Sequence, residues 1–201
     1  MIAMSKEQAS PLVTAEGKPI TRAYVGASWQ AGGAGERKGF GSLIRRKIGA
    51  DADLWALLLD RDDECIRIAE GRLKDPFGDG EVLHSGDDRK GSADNADNES
   101  ISIDLDRLPT VVAHVVFTLS TYAEGSNFGQ MSTVTTTVRD RDTGDSVRLY
   151  PPVNASHPAI LVARFSRVGD GWTVRELGTR VNARNRDQLI VAARDAVRAQ
   201  R

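Results

Sequence analysis

The sequence predicts an all-β protein, an antiparallel β-sandwich that ends in one short α-helix. Eight or more short apolar or alternating segments are separated by Gly, Asp and Pro turn residues, which is typical of a sandwich. Only the C-terminus changes to a helical period. A chain of 201 residues supports one sizeable core. We therefore expect a single domain over residues 20–201, preceded by a loose polar tail over residues 1–19.

The strands are predicted in chain order from apolar runs and the turns between them. Residues 23–29 (AYVGASW) form the first strand, and residues 53–60 (DLWALLLD) are apolar enough for a buried one. Turn residues at 140–145 and 169–171 indicate hairpins. The remaining strands are predicted at residues 65–69, 82–84, 101–105, 111–120, 131–138, 147–150, 159–168 and 172–177.

The predicted helix covers residues 185–199. Asn185 is a good N-cap, and Gln188 follows it at the spacing of a capping pair. One helical face is apolar, comprising Leu189, Ile190, Ala193 and Val197. Arginines surround it at Arg184, Arg186, Arg194 and Arg198. We expect the apolar face to pack on the sandwich and the arginines to remain solvated. The alternative is an arm that binds nucleic acid. The absence of aromatic side chains beside the arginines argues against this alternative.

Charge is unevenly distributed although the formal net charge is only −1. Residues 51–106 contain 17 acidic and 6 basic side chains, whereas the rest of the chain contains 11 acidic and 21 basic ones. An acidic segment in an otherwise basic chain indicates a bound cation or a charged partner.

Cysteine use and hydropathy indicate the compartment. The single cysteine, Cys65, excludes an internal disulfide and fits a reducing environment. No stretch approaches the ~20 apolar residues of a membrane helix, and the N-terminus lacks a signal-peptide core. We therefore expect a cytoplasmic protein with no membrane span.

The densest acidic stretch is the loop from Asp87 to Glu99. It carries five carboxylates against one arginine and one lysine, and their repulsion disfavours the loop unless water or a cation screens it. Hard oxygen ligands without a Cys or His cluster suit calcium, although the spacing is not that of an EF-hand. A solvated acidic hairpin loop explains the loop composition equally well.

The order of these motifs resembles the TerD-like tellurium-resistance family of bacterial stress proteins, in the form common in actinobacteria. The matching stretches are AYVGASW at 23–29, DADL at 51–54, LLLD at 57–60, LHSGDD at 83–88, DNESI at 97–101, IDL at 103–105 and GDGWT at 169–173. The resemblance implies a β-sandwich that binds calcium through acidic loops and contributes to resistance to tellurite and other stresses. The ligands it implies are Asp53, Asp60, Asp87, Asp88, Asp97, Asn98 and Glu99.

Two departures from the family pattern affect the expected ligands. Trp55 stands where the family usually has a carboxylate, and Trp cannot ligate calcium. Asn98 replaces another usual acid but still offers a carbonyl oxygen. We therefore expect one calcium site to be retained and a second to be weakened or lost.

The leading hypothesis is a non-enzymatic, calcium-binding stress-response module. Calcium would order the acidic loop or modulate binding of an unknown protein partner, for which products of the same stress operon are candidates. One alternative is an assembly module with degenerate metal sites that binds an acidic macromolecule through the basic C-terminal region. Nucleic acid is not favoured, because no DNA-binding motif organises the arginines.

Another alternative is a β-sandwich hydrolase that uses paired carboxylates. The three histidines (His84, His114 and His157) lie in unrelated contexts, although His84 adjoins the acidic loop and could tune it. No Ser-His-Asp or Cys-His pattern supports catalysis.

Overall fold

Two antiparallel sheets pack face to face, and one helix lies on the outer side of the larger sheet. The structure is a computed structural model that describes residues 1–6, 8–31, 51–87, 97–121, 125–152 and 156–199. The elements are β1 (Ser10–Pro11), β2 (Arg22–Ala31), β3 (Asp53–Leu59), β4 (Cys65–Ala69), β5 (Val82–His84), β6 (Glu99–Asp104), β7 (His114–Ser120), a 3-10 turn (Phe128–Gln130), β8 (Met131–Asp140), β9 (Ser146–Leu149), β10 (Ala159–Val168), β11 (Gly171–Val181) and α1 (Arg186–Arg198). The predicted β-sandwich is confirmed.

The larger sheet has six strands and the smaller one has five. Their orders are β1-β11-β10-β7-β3-β4 and β5-β6-β2-β8-β9. The predicted strands agree with the observed ones to within a few residues, except that β7 begins at His114 rather than at residue 111. The reason is a turn in which the Val112 N–H donates to the Pro109 carbonyl, and this turn leaves Val111 about half exposed.

Strand β3 is apolar throughout because it is covered on both faces. Leu54, Ala56 and Leu58 face the core between the sheets. The alternate side chains, Trp55 and Leu57 among them, pack into a second cluster beneath α1. Successive side chains of a strand point to opposite faces, so a helix layer over the sheet accounts for the missing polar alternation.

Helix α1 packs as the sequence predicts. Leu189, Ala193 and Val197 are buried against the second cluster, and the Asn185 side chain accepts a hydrogen bond from the Gln188 N–H at 3.0 Å. Leu189, Ala193 and Val197 are four residues apart, and this interval places the three apolar side chains in one row on the helix. No helix in the described ranges is long and apolar enough to cross a membrane.

Three arginines of α1 form ion pairs with the β3–β4 hairpin and the residue after β4. They are Arg186 with Glu70 at 2.6 Å, Arg194 with Glu64 at 2.5 Å and Arg198 with Asp63 at 3.2 Å. Asp63 is only 2% exposed and has a left-handed φ of 65°, so the third pair is partly buried. Arg186 and Arg198 remain about half exposed, in agreement with the expectation that they are solvated, and the ion pairs are a feature that the sequence does not indicate.

The predicted loose tail over residues 1–19 is not loose in the structure. Ile2 and Leu12 are almost fully buried in the main core, and β1 pairs with Thr173 and Val174 of β11. The mixed composition conceals a few widely spaced apolar residues whose burial in the core anchors the segment.

Candidate metal centre

Three carboxylates from separate parts of the chain meet at one end of the sandwich. Asp53 opens β3, Asp87 follows β5, and Glu99 opens β6, with one carboxylate oxygen of each lying within 4.8 Å of the other two. β3 belongs to the larger sheet, whereas β5 and β6 belong to the smaller one. The Leu54 N–H donates to Glu99 Oε2 at 2.7 Å and links the two sheets at this point. We call Asp53, Asp87 and Glu99 the acidic centre.

The electrostatics of the acidic centre disfavour three ionised carboxylates without a cation. Burial is the largest cause that raises the pKa of Asp53 to about 7, followed by the charges of Glu99, Asp51, Asp87 and Glu70. A carboxylate in this environment holds a proton near neutral pH, and a bound cation would favour its ionised form instead. A cation bound at the acidic centre would therefore displace this proton.

His84 lies against the acidic centre as a neutral imidazole. The Gly86 N–H donates to His84 Nδ1 at 2.9 Å, so Nδ1 is unprotonated and the ring proton is assigned to Nε2. Nε2 lies 2.8 Å from the Leu54 carbonyl oxygen and 3.5 Å from Glu99 Oε2. His84 therefore orients the start of β3 beside Glu99 and does not neutralise that carboxylate.

Asp87 is positioned by a close backbone approach at Gly71. A Cβ atom at Gly71 would lie 3.0 Å from the Cβ atom of Asp87 and 3.1 Å from its backbone nitrogen. A side chain at residue 71 would therefore push Asp87 away from its present place. The sequence carries no signal for this contact, because Gly71 lies in a turn distant from the acidic loop.

The other sequence-predicted ligands lie elsewhere in the structure. Asp60 is at the opposite end of β3, where Oδ1 accepts hydrogen bonds from the Asp62 and Glu64 N–H groups, both at 2.9 Å. Asn98 Oδ1 accepts from the Trp29 N–H at 2.8 Å and continues the pairing of β6 with β2. Asp88 lies outside the described residues.

Asp97 lies on the outer face of the smaller sheet, away from the acidic centre. Its Oδ2 accepts a hydrogen bond from the Tyr24 hydroxyl at 2.8 Å, and burial together with this bond raises the pKa of Tyr24 to about 12. A Cβ atom at Gly26 would overlap the same oxygen. Gly26 therefore provides the space that Asp97 occupies.

Trp55 takes part in packing under α1. It is 6% exposed, and the Arg186 guanidinium lies 5.8 Å from its ring centroid.

In the part of the chain that the structure describes, the acidic centre is the only group of three or more His, Cys, Asp or Glu side chains close enough to share an ion.

These observations define the class of protein: a two-sheet antiparallel β-sandwich in which carboxylates from both sheets meet at one end. The family model described as TerD domain matches residues 1–186, and the chain belongs to the TerD domain family. The predicted resemblance is confirmed. The match ends at residue 186, where α1 begins.

Individual relatives agree with this assignment. The chain is 26% identical to the tellurium resistance protein TerZ of Serratia marcescens, over 94% of this chain and 95% of that protein. It is 25% identical to the stress response protein SCP2 of Bacillus subtilis (strain 168), over 94% of this chain and 98% of that protein. Its fold is similar to that of a homologue of the telluride resistance protein TerD from Streptomyces coelicolor A3(2), with a TM-score of 0.64 and 18% identity over 87% of this chain and 95% of that one.

Proposed function

We propose that this protein is a non-enzymatic stress-response domain that binds calcium at the acidic centre. The observation that carries the proposal is the convergence of Asp53, Asp87 and Glu99 within 4.8 Å, from strands or strand ends of both sheets. The stress role is supported by relatives that are named as tellurium resistance and stress response proteins.

The donor set fits calcium better than softer metals. Asp53, Asp87 and Glu99 offer only oxygen, which is the ligand atom that calcium takes. Zinc and copper prefer nitrogen or sulfur ligands, and the one imidazole nearby, His84, already uses both ring nitrogens in hydrogen bonds. A bound calcium ion would neutralise the acidic centre and cross-link the two sheets.

This arrangement links metal binding to stability. In the metal-free protein, the buried or half-buried carboxylates of Asp53 and Glu99 repel each other. An ion that binds the folded protein and not the unfolded chain stabilises the fold by mass action. We therefore infer that calcium tightens this end of the sandwich and thereby modulates binding of a protein partner, for which stress-operon products are the candidates.

The test is calorimetric titration of calcium into chelator-stripped protein, repeated with magnesium. We expect saturable calcium binding that dominates over magnesium, is lost in Asp87→Asn and is retained in Asp97→Asn. Asp170→Asn, in the exposed β10–β11 turn, is the matched control for loss of one surface charge. No calcium heat, together with no rise in melting temperature at millimolar calcium, would contradict the proposal.

The two alternatives receive less support from the geometry. Binding of an acidic macromolecule through the C-terminal arginines would compete with the ion pairs that Arg186, Arg194 and Arg198 form within the chain. A hydrolase needs its paired carboxylates to reach substrate, whereas Glu99 is 1% exposed and accepts a hydrogen bond from the Leu54 N–H.

A further inference from the structure

Helix α1 has one face that the rest of the described chain leaves open. Leu189 and the other apolar residues of its row are buried, and Arg186, Arg194 and Arg198 pair with acids of the hairpin region. The remaining row consists of Asp187, Val191 and Asp195, which are all exposed, and Val191 is 54% exposed.

This open row forms one side of a groove beside the end of β11. The groove has a volume of about 390 Å³, and Val181 and Ala183 line it together with residues of α1. Its lining includes the apolar side chain of Val191 and the carboxylates of Asp187 and Asp195. No lysine or arginine lines the groove among the residues that the structure describes.

The chemistry of the groove selects its occupant. An apolar side chain in the lining favours an aliphatic side chain of the partner, and the two carboxylates favour positive charge beside it. Within the groove the same carboxylates disfavour nucleic acid and anionic membranes, whose surfaces are negative, and the arginines of α1 lie outside its lining. We propose that this groove docks a basic amphipathic helix of a partner protein, with an aliphatic side chain on Val191 and a lysine or arginine near each of Asp187 and Asp195.

The spacing within the groove matches such a helix. Asp187, Val191 and Asp195 follow one another at intervals of four residues, so the two acids stand about 12 Å apart along α1 with the valine between them. A partner helix with basic residues eight positions apart and a leucine midway presents the complementary row. The ion pairs and buried row of α1 hold this surface in place before the partner arrives.

The groove is independent of the acidic centre. The groove is built largely by α1. The family match ends at the first residue of α1, so this match does not account for the groove. Its occupant is recognised by Asp187 and Asp195, neither of which belongs to the calcium-binding proposal.

The test is fluorescence anisotropy of a labelled, N-acetylated amphipathic peptide of leucine and lysine, titrated with the full-length protein. We expect saturable binding that falls about tenfold in Asp187→Lys/Asp195→Lys, because two attractions become repulsions. Val191→Ser should weaken binding several-fold, since the aliphatic contact is lost. Asp62→Lys/Asp170→Lys changes the net charge equally at exposed sites and should leave binding unchanged.

The outcomes decide the proposal in either direction. Asp187→Asn/Asp195→Asn replaces the lysine variant if circular dichroism shows that the latter is unfolded, and a weakening of binding again supports the groove. The proposal is overturned if the lysine peptide does not bind, if the control pair weakens binding as much, or if Val191→Ser has no effect. It is also overturned if the matching leucine–glutamate peptide, duplex DNA or phosphatidylserine vesicles bind as tightly as the lysine peptide.

Discussion

Replacing Asp53 by Asn should stabilise the metal-free protein at alkaline pH and abolish the stabilisation that calcium gives to the wild type. Asn has nearly the same shape as Asp and carries no charge. In the metal-free fold, burial and the neighbouring carboxylates raise the pKa of Asp53 from 3.8 to about 7. The Asp53→Asn substitution removes that electrostatic cost and also removes one calcium ligand.

The magnitude follows from this pKa difference. The raised pKa means that the folded protein binds the Asp53 proton more tightly than the unfolded chain does. The resulting stability is fully present below about pH 4 and is lost as the pH rises through about 7. At 1.36 kcal/mol per pKa unit, the loss amounts to about 4 kcal/mol, or roughly 10 °C in melting temperature for a chain of this size.

The assay is urea unfolding at pH 5 and pH 8, with chelator and with calcium, for wild type, Asp53→Asn and the surface control Asp170→Asn. With chelator at pH 8, Asp53→Asn should be the most stable, whereas at pH 5 the three proteins should be similar. Calcium at pH 8 should stabilise wild type and Asp170→Asn and leave Asp53→Asn nearly unchanged. A metal-free Asp53→Asn protein that loses as much stability as wild type between pH 5 and pH 8 would refute the reasoning.

Three further substitutions test the packing described above. Gly26→Ala places a Cβ atom on the Asp97 carboxylate and should cost about 1–3 kcal/mol in urea unfolding while calcium binding is retained. Arg198→Ala removes one ion-pair partner of Asp63, which is 2% exposed, and should cost about 2 kcal/mol, measured in the same way. Arg194→Ala breaks a pair with the largely exposed Glu64 and should cost less than about 1 kcal/mol, so equal losses for the two arginine variants would contradict the burial argument.

The fold could be predicted from sequence because its signals are local. Alternation in β6, the unbroken apolar run of β3 and the Asn185 cap of α1 each lie within a few consecutive residues. The N-terminal segment was missed because its anchors, such as Ile2 and Leu12, are separated by polar residues and prolines. Such anchors become visible only when the surface that receives them is known.

The candidate site could be predicted only in part, for a related reason. Its residue types identify Asp53, Asp87 and Glu99 as candidates, but Asp97 and Asn98 belong to the same acidic motif as Glu99. The structure separates them, since Asp97 contacts Tyr24 on the outer face of the smaller sheet while Glu99 reaches Leu54 of the other sheet. The side chains of an acidic motif alternate between the two faces of the sheet only within the strand. β6 begins at Glu99 rather than at residue 101, so the Glu99 side chain belongs to the buried face.

The position of α1 also bears on how the protein avoids aggregation. β4 is the last strand of the larger sheet, and an edge strand beside an apolar face is a template for adding strands of other molecules. α1 covers that face, including Trp55, Leu57 and Ile68, and its arginines hold Glu64 and Glu70 at the two ends of β4. A terminal helix that lies almost wholly beyond the family match therefore covers this apolar face, and it is attached through one apolar row and three ion pairs. Loss of the helix should expose Trp55, Leu57 and Ile68 beside an edge strand.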